Sequence, residues 1–290
     1  DRGKLGIASN YSVLRPKSTG FVAERIFAGG VHTLLLKSDG TLWATGRNNS
    51  GQLGDGTKID RLTPVQVATE VSFAAVGGAH SLIVKTDGSL WGMGENGDGQ
   101  LGDGTTVDRL LPIHLADDVI AVAASYSHSL FVKSDGTLWA TGGNYYGQLG
   151  DGANSTRLTP IQVATDVVTV AAGDSHSLFV KNDGTVWAMG YNAVGQLGDG
   201  TTENRNLPVQ VGTATGAAAV AVGLSHSAIL KDDQTLWTFG YGGALGTGGN
   251  TNQLSPVQVA TGVTAVRTGS YHTCYVKNDG TLWITGDNRN

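Results

Sequence analysis

Apolar and polar residues alternate in short runs along the chain, and no stretch keeps a 3.6-residue apolar period over the three turns a helix needs. In the stretch that opens at Pro160, the runs VVTVAAG, HSLFVK and TVWAMG are short, rich in Val, Leu, Phe and Trp, and bounded by glycine. They predict three strands. PIQV predicts a fourth that begins at the proline, because a residue without an N–H suits a strand start or an edge. Asn182-Asp183-Gly184 lies between the second and third runs. It predicts a hairpin loop in which Gly184 takes the positive φ that a Cβ resists.

The unit recurs. The six prolines stand at 16, 64, 112, 160, 208 and 256, always 48 residues apart. Each of the six tryptophans follows a histidine by eleven residues, from His32 and Trp43 to His272 and Trp283. Four short strands per unit of this length predict a propeller blade. The expected fold is all-β: one domain over residues 1–290, a six-bladed β-propeller of about 48-residue repeats. The chain starts and stops inside a unit, with Leu5 to Pro16 spaced as Leu53 to Pro64 and the last unit running out at Gly286-Asp287-Asn288. The N- and C-terminal half-repeats are therefore expected to pair in one blade, which removes open strand edges. The turn Lys-x-Asp-Gly occurs in five units; the fifth has Asp233-Gln234, so Gln234 is expected to be strained or in a different turn.

Composition narrows the function classes. The net charge of −5 argues against binding nucleic acid or an anionic membrane, which needs a positive surface. No apolar run approaches the roughly 18 residues of a membrane span. A single cysteine, Cys274, excludes an internal disulfide framework and a Cys-based zinc site. GxSxG, HExxH, P-loop and EF-hand patterns are absent, so neither an enzyme nor a cofactor is expected.

Three repeated residue sets bear on chemistry. The six histidines fall in six different blades, too far apart to share an ion whose ligands sit about 2.0–2.1 Å away. They are expected to be buried and hydrogen-bonded to backbone. The tryptophans are expected to pack between blades rather than hold a cofactor or sugar. Asp55, Asp103, Asp151 and Asp199 occur in the four units that also carry Arg61, Arg109, Arg157 and Arg205, whereas the other two units lack both. That association predicts a charge pair six residues apart across each Gly-rich loop.

The unit GxxHSLxVKxDGTLWxxGxNxxGQLGDGT, followed by a Pro-Val-x-Val strand, resembles the regulator of chromosome condensation repeat. Ser127-His128-Ser129-Leu130, Asp135-Gly136-Thr137-Leu138-Trp139 and Gly147-Gln148-Leu149-Gly150 carry the likeness. The resemblance implies a β-propeller, commonly of seven blades, where the repeats here count to six. The founding eukaryotic member is a nucleotide exchange factor for a small GTPase and binds chromatin; bacterial relatives include a secreted inhibitor of β-lactamases. The close identity among units looks more like the bacterial group, so a secreted or cell-surface setting is expected.

Slots that vary inside a uniform unit are candidates for recognition. One window is the pair before each histidine, the other follows the glycine after each tryptophan; six of the eight tyrosines fall in them. Arg47, Glu95, Tyr126, Tyr145, Tyr146, Tyr191, Tyr241 and Tyr271 are the candidate contact residues, because tyrosine offers a large rigid surface with one polar atom. The expected role is a non-enzymatic binding scaffold for a protein partner. A lectin that takes glycans and an exchange factor for a small GTPase are the alternatives.

Overall fold

A computed structural model describes residues 20–212 and 214–287. Each repeat folds as an antiparallel meander, shown here by blade four: strand A Val167–Ala172, strand B His176–Lys181, strand C Val186–Gly190 and strand D Arg205–Gln210. Six such sheets, at 25–68, 71–116, 119–164, 167–210, 217–260 and 263–286, make a six-bladed β-propeller, with four strands in the first five blades and three in the described part of the sixth. The expected pairing of the terminal half-repeats falls on residues 1–19 and lies outside the described residues.

Strand D does not begin at its proline. In blade three it spans Arg157–Ala164, three residues earlier than expected. Proline is tolerated inside it because D pairs only with C, and the register slips between Gly142↔Arg157 and Ala140↔Ile161, so Pro160 sits in an irregular stretch of an edge strand.

The core lies between blades, not within them. On strand B of blade four, Phe179 packs against Leu130, Leu138 and Ala140 of blade three, while Leu178 and Val180 pack against Ile229 and Phe239 of blade five. Both faces of a blade are buried, which is why strand B reads as a continuous apolar run rather than an alternating one. Hydrogen bonds of up to four kinds cross a seam, and all four are present between blades one and two. The Val71 N–H donates to Gly40 O (3.0 Å), the Gly56 N–H to Leu110 O (2.9 Å) and the Gly30 N–H to Gly77 O (3.1 Å). The fourth joins His32 Nε2 to Ser81 Oγ (2.7 Å).

This last contact corrects the expectation for the histidines: their partner is the hydroxyl of the next blade, not backbone. His80, His128, His176 and His226 reach Ser129, Ser177, Ser227 and Thr273 in the same way. The tryptophans pack between blades along one face only. Trp187 borders the blade three–four cluster, but its indole N–H donates to Thr185 Oγ1 (3.0 Å) and Lys181 Nζ lies 5.1 Å from its ring. Gln234 occupies the ordinary turn, with φ 65 and its N–H on Lys231 O, so of the two expectations strain is the one observed.

Candidate functional site

Both variable windows emerge at one end of the ring. The residue opposite each strand-B histidine is the glycine that ends strand C (His176↔Gly190), so the A–B and C–D loops leave the sheet side by side. Backbone bonds tie them, as from Tyr191 N–H to Ser175 O and from Tyr241 N–H to Ser225 O, each 2.9 Å. We call this end the loop face. The B–C turns occupy the other end.

The long C–D loops are preset. Their second residue is a fully buried asparagine: Asn48, Asn96, Asn144 and Asn192. Asn96 Nδ2 donates to Asp103 Oδ1 (2.9 Å) and its Oδ1 accepts the Leu101 N–H (3.0 Å). The expected carboxylate–guanidinium pairs are formed in all four loops. Arg109 Nε meets Asp103 Oδ2 at 2.7 Å. Burial pushes the Asp103 carboxyl up, but hydrogen bonds from Thr105, Arg109 and Asn96 outweigh it and leave the pKa below the ordinary value. The loop bases are thus framework, and only their tips are open to a partner.

On those tips the candidate residues form two tracts. In the first, Tyr145 Oη of blade three donates to Asp98 Oδ1 of blade two (2.8 Å), a bond that raises the phenol pKa. Glu95 is half-buried in the same blade-two loop, and its pKa is raised by burial and then by Asp108 and Asp98. Tyr146 continues the tract to Tyr191 of blade four, with ring centroids 4.8 Å apart. In the second tract Tyr241 and Tyr271 meet edge to face at 5.9 Å across blades five and six. Tyr126 stands nearer the axis, 66% exposed, with its ring against Gly78 of the preceding blade. Arg47 is exposed in the blade-one loop and shares no ion pair or ring contact with either tract among the described residues.

At the centre of the loop face is a pocket of about 330 Å³ to which all six blades contribute, Gly30, Gly78, Tyr126, Asp174, Leu224 and Ser270 among its walls. Behind it stand the histidines. Burial pushes His80 and His226 down to about 4, and His128 and His176 to about 3, with neighbouring histidines adding to the effect, so these rings are neutral. Among the described residues no group of three or more His, Cys, Asp or Glu is placed to hold a metal ion. Sequence reasoning missed Asp98 as the partner of Tyr145 and Asp174 as a pocket residue. Both lie inside the variable windows, but their contacts depend on which blades adjoin.

The regulator of chromosome condensation (RCC1) repeat model matches residues 39–84, 87–132, 135–180 and 183–230. A second model of the same repeat matches 24–52, 71–100, 119–148, 167–196 and 263–290. Among solved structures the chain is similar to human WBSCR16, at 24% identity over 99% of this chain and 86% of that one, TM-score 0.84. It is also similar to Prp20p of Saccharomyces cerevisiae, at 22% identity over 98% and 78%, TM-score 0.86. A third is yeast RCC1 in complex with Kap60, at 21% identity over 98% and 76%, TM-score 0.85. At these identities the likeness to the solved structures concerns the fold. The matched repeats run nearly the length of the described ring, and the chain belongs to the RCC1 repeat family.

Proposed function

We propose that this propeller is a non-enzymatic protein-binding scaffold that engages a partner protein across its loop face. One observation carries the reading. Variation and tyrosine are concentrated on the loop face, whereas the opposite end repeats one Lys-x-Asp turn in all six blades. Framework uniformity with variable tips at one end is how a rigid scaffold presents a recognition surface. The tract Glu95–Asp98–Tyr145–Tyr146–Tyr191 spans three blades, and its rigid aromatic area is of the kind enriched in protein interfaces. Fold relatives support the partner class: the structural study of Prp20p describes its binding to Gsp1p and histones, and yeast RCC1 was solved bound to Kap60. We carry over proteins as the kind of partner, and neither of those partners nor nucleotide exchange. Four of the six tyrosines pair with one another, Tyr146 with Tyr191 and Tyr241 with Tyr271, rather than standing as open platforms, which favours a protein over a glycan. A secreted or surface-associated setting remains part of the proposal, on repeat uniformity alone.

A photo-crosslinking residue in place of Tyr145, compared with one in place of Thr137 on the opposite end, tests this in the source cells. The expected result is one discrete protein adduct from position 145 and none from 137. Adducts of equal pattern from both positions would overturn the reading.

A further inference from the structure

The axial pocket has a consistent polarity. Ser81 Oγ donates its one proton to Gln52 O (2.9 Å), Ser177 to Gln148 O (2.8 Å), Ser227 to Gln196 O (2.8 Å) and Thr273 to Ala244 O (3.0 Å). The hydroxyl proton is therefore spent, and the histidine Nε2 facing each hydroxyl must be the donor. This assigns the Nε2–H tautomer from the hydrogen-bond network, and leaves Nδ1 as a bare acceptor. In blade three that acceptor is satisfied: Ser125 Oγ donates to His128 Nδ1 (2.6 Å). Where the equivalent residue is Gly77, Gly173 or Gly223, no hydroxyl is available, and Nδ1 of His80, His176 and His226 is buried without a hydrogen-bond partner. These three glycines line the pocket. A Cβ on Gly77 would meet His80 Nδ1 at 2.7 Å, and one on Gly223 would meet His226 Nδ1 at 2.6 Å, so the acceptor edge of each ring lies directly behind the pocket wall.

The imidazole dipoles of His176 and His226, whose partner hydroxyls on Ser227 and Thr273 are both spent, thus run with the N–H end towards the next blade and the lone-pair end towards the axis. Asp174 adds a negative charge on the wall; it makes no ion pair among the described residues, and its partner is the Ser175 hydroxyl at 3.2 Å. None of the described residues lining the pocket is cationic. A recess whose wall carries one carboxylate and no cation, with imidazole lone pairs just behind it, favours a positively charged donor. Its 330 Å³ lies at the small end of the roughly 300–1,000 Å³ range of ligand pockets, room for a side chain rather than a domain.

We propose that the axial pocket receives one arginine or lysine side chain of the partner protein, with Asp174 as its counter-charge. This rests on the reading of the loop face as a docking surface and names what the docked partner must present at its centre. The probe is N-acetyl-arginine amide, with the neutral N-acetyl-citrulline amide as control, titrated against the isotope-labelled protein while the Gly77, Gly173 and Gly223 amides are followed. Saturable shifts at these glycines are expected with the arginine compound. Citrulline should bind roughly tenfold more weakly or worse, as should arginine to Asp174→Asn, because a charge-assisted contact is lost. Ser134→Ala, exposed in a B–C turn at the opposite end, should leave the arginine titration unchanged. Absence of saturable shifts, or equal binding of citrulline or by Asp174→Asn, overturns the proposal. If that happens while adducts at position 145 persist, the docking face stands and only its axial site falls.

Discussion

Leu138 and Leu282 hold the same place in the repeat, at the start of strand C. Leu138 is fully buried and Leu282 is 63% exposed. The difference is the neighbour. Blade three delivers Leu138 into a cluster with Val167, Val170 and Phe179 of blade four. Among the described residues, Leu282 and Ile284 on the corresponding face of blade six are exposed, and so is Ile26 of blade one. His272 shows the same contrast: its counterparts reach a hydroxyl in the next blade, while its own ring is exposed and has no hydrogen-bond partner among the described residues. The repeat sequence specifies a blade. Burial, tautomer and stability come from a complete seam.

The largest way to break the complete seams is acid. His80, His128, His176 and His226 are held neutral by burial, with pKa values down to about 3–4, and unfolding restores values near 6.5. The unfolded chain then binds more protons. Stability should be whole above about pH 6.5 and fall as the pH drops towards the folded-state values, by roughly 5 kcal/mol per pH unit at the steepest for the four together. A total stability of about 5–15 kcal/mol cannot survive that far into the window. The carboxylates of the loop pairs also sit low, but their contribution is lost only once the pH falls below the ordinary carboxylate value. Denaturant melts between pH 7 and 4 distinguish the two groups. An acid midpoint below pH 3.8 would remove the histidines from the explanation.

Next in size is the leucine pair itself. Leu138→Ala should cost about 3 kcal/mol, since it removes buried area and leaves a cavity between blades. Leu282→Ala should stay within about 0.5 kcal/mol. Equal costs would mean that the blade-six face is covered in solution.

Much of this was legible beforehand, and the limits are physical. Strands A to C and the six-fold count follow from short glycine-bounded apolar runs and their period. The start of strand D did not, because Arg157-Leu158-Thr159 carries no strand signal apart from its ladder to strand C. The histidine partner was hidden in plain text: Ser81 follows His80, but the serine serves the histidine of the preceding blade, 49 residues away. Pairing at one repeat plus one residue cannot be read until the blades are known to adjoin. The same holds for Tyr145 and Asp98, 47 residues apart. By contrast the Asp–Arg pairs are local, and covariation between units within one chain was enough to find them.

Those pairs offer a smaller test of what a seam requires. Asp103 and Arg109 brace the blade-two loop, whose Gly104 N–H donates to Leu158 O of blade three (2.9 Å). Either Asp103→Arg or Arg109→Asp alone should lower stability by about 1–2 kcal/mol, because Asp103 is nearly buried and the guanidinium is partly screened by solvent. The double reversal should recover part of that loss, and its coupling energy is read from a double-mutant cycle. Strict additivity would mean that the loop holds its seam without the charge pair.

The smallest expected change is a gain, at the seam between blades five and six. Gln234 holds φ 65, where a Cβ crowds the backbone, yet its carbonyl accepts the Val263 N–H of blade six at 2.9 Å. Gly40, Gly88, Gly136 and Gly184 place their carbonyls in the same way without that crowding. Gln234→Gly should therefore keep the cross-seam bond and relieve strain, a net gain of about 0.5–1 kcal/mol after the greater flexibility of glycine in the unfolded chain is subtracted. Thermal melts of the two proteins read the difference, and amide exchange at Val263 shows whether the bond is retained. A loss of stability with the Val263 amide still protected would show that the glutamine side chain contributes more than its backbone costs. Loss of that protection would show instead that a seam next to the open blade depends on a stiff turn, and that the complete and open interfaces are mechanically coupled through blade six.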